Sequence, residues 1–111
     1  MIPASVRVFV CTAPQDMRRG FDMLAQVVRQ EMGGDPRSGD LFVFTSRGSD
    51  RLKMLWWDHN GFALMYKRLS GARVRGPAAT AGRVVEIDGR ELAAMMRGTP
   101  RPAKRGTNDR A

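Results

Sequence analysis

Residues 50–69 read DRLKMLWWDHNGFALMYKRL. Within 51–57 the side chains alternate, with Leu52, Met54 and Trp56 on one face and Arg51, Lys53, Leu55 and Trp57 on the other, the period of a pleated strand. Asp58-His59-Asn60-Gly61 follows and contains Asn-Gly, the pair that best tolerates the positive φ angles of a tight hairpin. Residues 62–69 then read as a returning strand. Immediately upstream, 41–45 is a short apolar strand, set off from Arg51 by the turn-like Ser46-Arg47-Gly48-Ser49-Asp50. Two successive hairpins predict an antiparallel meander.

Working outward, residues 5–11 alternate again. Val6, Val8 and Val10 point one way and Arg7, Phe9 and Cys11 the other, so this segment is a strand available to join the meander. Thr12-Ala13-Pro14-Gln15 breaks it. Asp16 is a candidate N-cap, and Phe21, Leu24, Val28 and Met32 recur at three- and four-residue steps, predicting an amphipathic helix of about four turns. Arg18 and Asp22 are spaced to pair on that helix. Gly20 costs about 1 kcal/mol in a helix interior relative to alanine, so it marks a late start or a close backbone approach. Gly33-Gly34 stops the helix. Toward the C-terminus, 71–82 is a Gly-, Ala- and Arg-rich crossing loop and 83–87 a further strand. Asp88-Gly89-Arg90-Glu91 matches a capping box, and Leu92, Met95 and Met96 stripe a short helix that Gly98 and Pro100 end. The expected fold is α+β: an antiparallel β-meander of three to five strands with two helices, one domain over 1–98. Residues 99–111 offer no large apolar side chain and are expected to form a disordered basic C-terminal tail.

Composition narrows the function. The chain has 111 residues, with 19 Lys+Arg against 11 Asp+Glu, a formal charge of +8, yet 42% of it is hydrophobic, too much for a disordered polycation. No apolar run approaches the roughly 18 residues of a membrane span, and no secretory leader is visible. The single cysteine excludes an internal disulfide, and the single histidine excludes a usual zinc site. The expectation is a cytoplasmic basic domain, nucleoid-associated if it binds DNA, with no membrane partner, no small-molecule substrate, no metal and no cofactor. An excess of positive charge calls for an acidic partner, nucleic acid first.

That charge is concentrated. Residues 44–76 hold seven basic side chains and two acidic ones. The alternation in 51–57 predicts that one sheet face packs on the helices while the other shows cations and a tryptophan. Such a face suits nucleic acid, because cations neutralise phosphates and a ring stacks on exposed bases. The candidate phosphate contacts are Arg18, Arg19, Arg47, Arg51, Lys53, Lys67 and Arg68, with Trp57 as a stacking or partner anchor. The bland alternative is a solvated face with the tryptophan completing a small core. For Arg18 and Arg19 there is a further reason to look for a use: cations at a helix N-terminus oppose its macrodipole.

Catalysis finds little support. His59 sits at a turn, where partners and a pocket are scarce. Cys11 reads as a small buried hydrophobe. Asp50 and Asp58 suggest metal-dependent cleavage only weakly, since no third carboxylate stands at a compelling spacing. SGDLFVF at 38–44 has the alternating aromatics of an RNA-recognition strand but lacks its opening basic residue, and Phe42 and Phe44 read better as core.

Four segments together carry a resemblance: DMRRGFDMLAQVV at 16–28, DPRSGDLFVF at 35–44, DRLKMLWWDHNGFALMYKRL at 50–69 and IDGRELAAMMRG at 87–98. In this order and spacing they resemble the small TnpB-type accessory protein of the IS-sixty-six family of bacterial insertion sequences, over residues 1 to about 98. The resemblance implies a role in moving the element, with strand chemistry left to a separate, larger transposase, and supplies no catalytic residues. It departs at 72–77, where Val74 and Gly76 stand in place of bulkier residues. The expected function is therefore a non-enzymatic transposition accessory protein that binds DNA and assists the transposase. The alternative is an interaction adaptor of the transposase that never touches DNA.

Overall fold

A computed structural model describes residues 5–77 and 82–101. It contains β1 (Val8–Cys11), α1 (Phe21–Gln30), β2 (Leu41–Thr45), β3 (Arg51–Asp58), β4 (Gly61–Arg68), β5 (Ala72–Arg73), β6 (Val84–Ile87), α2 (Gly89–Arg97) and β7 (Thr99–Pro100). The main sheet has the order β4-β3-β2-β1-β6, and β5 and β7 form a separate two-stranded ribbon. The meander of β2, β3 and β4 is antiparallel, as expected. β1 joins it parallel to β2, with Val8 opposite Leu41 and Val10 opposite Val43, while β6 closes the other side of β1 antiparallel. The parallel pair follows from chain length. Parallel neighbours need a crossover of a dozen or more residues, and the segment that carries α1 supplies one.

Helices cover both faces. Val8, Val10, Leu41, Val43, Leu52 and Ile87 face α2 and pack on Leu92 and Met95. Cys11, Phe42, Phe44 and Leu55 face the other way and pack on Leu24, Ala25, Val27 and Val28 of α1. This corrects the expectation of one free cationic sheet face. The face that carries Arg51, Lys53, Leu55 and Trp57 is the one beneath α1, because β1 makes the sheet wide enough to need a layer on each side. Among the described residues, no helix is long and apolar enough to cross a membrane.

Local corrections follow from the same packing. α1 starts at Phe21 with Gly20 as N-cap, and no side chain caps it. The Asp16 carboxylate instead accepts from the backbone N–H of Arg18 at 2.9 Å and from its guanidinium at 2.7 Å, a local turn rather than a helix cap. Arg18 thus lies outside the helix and pairs with Asp16, not Asp22. Phe21, on the apolar stripe predicted by its spacing, is 46% exposed at the helix entrance. The hairpin loop is His59-Asn60, since Asp58 pairs with Gly61, and the positive φ falls on His59 at 63° rather than on Asn60 or Gly61.

α2 has the full capping box, with the Asp88 carboxylate accepting from the Glu91 N–H and the Glu91 carboxylate from the Asp88 N–H. The helix ends at Gly98, whose φ of 70° and close approach to the ribbon exclude a side chain. A Cβ there would overlap the Arg73 carbonyl oxygen and the Leu69 side chain. Ordered structure continues past that point, as Thr99 pairs with Arg73 and Arg101 donates its N–H to the Gly71 carbonyl at 3.0 Å. The rest of the expected tail, 102–111, lies outside the described residues.

Candidate nucleic-acid interface

Several backbone hydrogen bonds gather the basic segments at one end of the sheet. The β2–β3 turn is closed by Ser46, whose N–H donates to the Arg51 carbonyl at 3.0 Å and whose hydroxyl accepts from the Arg51 N–H at 3.1 Å. Beyond β4, Leu69 donates to the Asp50 carbonyl at 2.7 Å and Val74 to the Ser49 carbonyl at 2.6 Å, which wraps 69–74 around that turn. On the other side, Gln15 donates its N–H to the Thr45 carbonyl at 2.9 Å, bringing 14–19 alongside. The ribbon of β5 and β7 completes the end.

The side chains carried there are mostly cationic. Arg47 is exposed at the turn tip. Arg51 stands opposite Arg68 across β3 and β4, a like-charge pair that costs stability where it stands. Arg73 and Arg101 are exposed on and beside the ribbon. A cleft of about 300 Å³ opens between the two loops, lined by Pro14, Gln15, Asp16, Met17, Ser46, Arg47, Gly48 and Arg51. Inside this end, the Arg51 Nε is buried without a hydrogen-bond partner; the nearest carboxylate oxygen, on Asp50, is 3.5 Å away. An orphaned guanidinium N–H is an unmet donor. Asp50 is held in place by the Ser46 hydroxyl at 3.2 Å. Partial burial pushes its carboxyl up, but the hydrogen bonds from Ser46 and its own backbone and the Arg51 charge outweigh that and bring it below the ordinary range. Asp16 lies well below the carboxylate range because of its hydrogen bonds to Arg18.

The structure separates the eight residues singled out in the sequence. Arg47, Arg51 and Arg68 come together, with Arg18 and Arg19 close by on the neighbouring loop. The Arg18 side chain is 92% exposed despite its pairing with Asp16, whereas Arg19 turns back to donate to the Gln15 side-chain oxygen at 2.9 Å. Lys53 and Lys67 are turned inward. Lys53 is 8% exposed, donates its ammonium to the Arg19 carbonyl at 2.8 Å and lies 5.0 Å above the Tyr66 ring. Lys67 donates to the Met96 carbonyl at 2.9 Å, in the last turn of α2, where a cation complements the helix dipole. Trp57 is at the far end of β3, roughly 20 Å from Arg51 along the strand. Its ring has the Arg37 guanidinium over it at 4.6 Å and meets Phe62 edge-on at 5.0 Å, so it is engaged within the fold. Arg73 and Arg101 were legible as basic residues, but only the ribbon pairing reveals that they belong to this end.

Of the candidate chemical groups, only Asp50 lies at this end. Asp50 and Asp58 flank β3 and are about 26 Å apart. Cys11 is buried, and desolvation pushes its thiol up, against any role as a thiolate. His59 is exposed at the tip of the hairpin.

A family model described as "IS66 Orf2 like protein" matches residues 6–105. The chain belongs to the IS66 Orf2-like family. Two relatives, both from Sinorhizobium fredii, are similar along much of their length. Uncharacterized protein y4hO is 37% identical over 100 residues, covering 88% of this chain and 86% of its own. Uncharacterized protein y4jC is 36% identical over 77 residues, covering 69% and 66%. No solved structure matches. Membership makes this Orf2-like chain an accessory protein associated with an insertion sequence. The match includes Thr99, Pro100 and Arg101, so the ribbon that closes the cationic end lies within the family region.

Proposed function

We propose that this Orf2-like protein is a non-catalytic accessory factor for transposition that holds DNA by its phosphate backbone and assists the separate transposase. The observation that carries the DNA reading is the convergence of Arg47, Arg51, Arg68, Arg73 and Arg101 at one end of the sheet, beside a cleft into which Asp16 brings the only acidic side chain of its lining. Arginine suits this task, since its planar fork meets phosphate oxygens in pairs. Phosphate contacts position a protein without reading sequence, so choice of the element's ends rests on base contacts or on the transposase.

A gel-shift series on the element's terminal repeats, at several salt concentrations and with and without transposase, tests the reading. Each phosphate neutralised contributes about 0.9 to the slope of log affinity against log salt. Removing Arg47 and Arg68 together is expected to lower that slope by up to about 2 and to weaken binding on every sequence alike. Absence of binding at low salt, with the transposase still captured, would leave the adaptor reading in its place.

A further inference from the structure

Among the described residues, one long strand edge is open. β4 is at the margin of the main sheet and runs for eight residues. Because Leu69 bonds to Asp50 and Gly61 closes the hairpin with Asp58, the odd-numbered residues of β4 exchange hydrogen bonds with β3. The N–H and C=O groups of Phe62, Leu64 and Tyr66 therefore point outward, and among the described residues they meet no backbone partner. Edge strands are ordinarily guarded by charge, proline, a bulge or shortness. The opposite edge is guarded in that way: β6 has four residues and carries Glu86, ion-paired to Arg7 at 2.7 Å. β4 has no charge and no proline from Gly61 to Tyr66. Tyr66 is also one of only three large apolar side chains exposed among the described residues, at 52%.

We infer that the β4 edge pairs with the β4 edge of a second copy of this chain, antiparallel about a two-fold axis, to form one continuous ten-stranded sheet. The register is constrained. Directly opposed residues must share a face and both must offer outward backbone groups, so even positions meet even positions. Centring the axis on Leu64 sets Leu64 against its own copy and Phe62 against Tyr66, an aromatic cross-strand pair on the α1 face. Ala63 then meets Met65 on the α2 face, and Lys67 meets Gly61. A second copy suits this edge better than an acidic partner would, because Gly61 to Tyr66 is uncharged and self-complementary and the Lys67 ammonium is turned to the Met96 carbonyl. The charge of the chain does not oppose it. The two Arg68 side chains fall at opposite ends of the joined strands, about 26 Å apart, several Debye lengths at physiological salt.

The test uses the full chain with no DNA present, so it stands or falls apart from the DNA reading. Sedimentation across a micromolar concentration series should show a species of twice the 12.4 kDa chain mass growing with concentration. Leu64→Cys places two thiols in a hydrogen-bonded pair with Cα atoms about 5.5 Å apart, within disulfide range, and should crosslink into a covalent dimer under oxidised glutathione. Native Cys11 is 1% exposed and does not compete. Gln26→Cys, on the exposed side of α1, is the control and should stay monomeric. A chain that remains monomeric throughout, or a Leu64→Cys variant that crosslinks no faster than Gln26→Cys, would overturn the inference.

Discussion

Replacing Lys53 by methionine distinguishes a structural lysine from a DNA-contacting one. The substitution keeps an unbranched apolar stem one atom shorter than lysine, so most of the packing under α1 stays filled. What is lost is the ammonium, which donates to the Arg19 carbonyl at 2.8 Å and sits 5.0 Å over the Tyr66 ring. A partly buried carbonyl left without its donor costs about 1–3 kcal/mol, and the contact with the ring adds about 0.5–1 kcal/mol. Methionine recovers part of this by removing a charge from a buried site, so a net loss near 2 kcal/mol is expected. For a domain of this size that lowers Tm by about 8–16 °C.

The assay is a pair of measurements on one sample: a thermal melt followed by circular dichroism, and DNA affinity against salt well below the melt. Lys53→Met should melt early and keep the wild-type salt slope. Arg47→Ala should do the reverse, with Tm within the small range typical of exposed substitutions and a slope lower by about 0.9. A Lys53→Met protein that melts with wild type but shows weaker, less salt-dependent binding would refute the assignment. It would mean that the ammonium leaves the Arg19 carbonyl for phosphate.

Three further outcomes rest on local geometry. Gly98→Ala forces a side chain into φ 70° and against the Arg73 carbonyl; backbone strain alone is about 1–3 kcal/mol, and amide exchange should rise first at 71–73, where the ribbon is displaced. Asp88→Ala removes the α2 cap and should cost about 1 kcal/mol, read as a lower denaturation midpoint with an unchanged m-value. Glu86 is held below its ordinary pKa of 4.5 by its hydrogen bond to Arg7, and Asp50 below 3.8. Depressed folded-state values stabilise the fold above the ordinary pKa and lose that effect as pH falls, so Tm should hold steady from neutrality to about pH 5 and drop below about 4.5, less steeply in Glu86→Gln.

What was legible in the sequence was whatever short-range pattern controls. Alternation in 51–69 defined the hairpin, the capping box defined the start of α2, and Leu24 and Val28 lie in the core where their spacing put them. What escaped depended on contacts between distant segments. Asp16 looks like an N-cap because it precedes a helical pattern, yet Arg18 two residues later captures its carboxylate and defers the helix to Phe21. Alternation in β3 separates two faces correctly, but it does not say that both are covered. That depends on β1 entering parallel to β2 and widening the sheet. Thr99 and Pro100 read as tail by composition, and only their partners Ala72 and Arg73 make them a strand.

The same distinction sorts the basic residues, and it sorts them by chemistry. Both lysines of the meander are drawn inward, each with a single ammonium donated to a single backbone carbonyl: Lys53 to Arg19 at the entrance of α1, Lys67 to Met96 at the exit of α2. A compact charge on a flexible stem can satisfy one carbonyl at the end of a helix. The arginines nearby have no such option, because five donors on a rigid fork exceed what one carbonyl accepts. Arg47, Arg68, Arg73 and Arg101 stay exposed, and Arg51 keeps an unmatched N–H beside the cleft. The lysines thus tie the entrance of α1 to β3 and the last turn of α2 to β4, while backbone hydrogen bonds from Gln15, Leu69 and Val74 hold the arginine-bearing loops at one end. Exchanging the types should therefore fail asymmetrically: Lys53→Arg crowds a buried site that needs one donor and lowers Tm, whereas Arg47→Lys keeps the fold and most of the salt slope but loses the paired contact that makes arginine bind phosphate tightly.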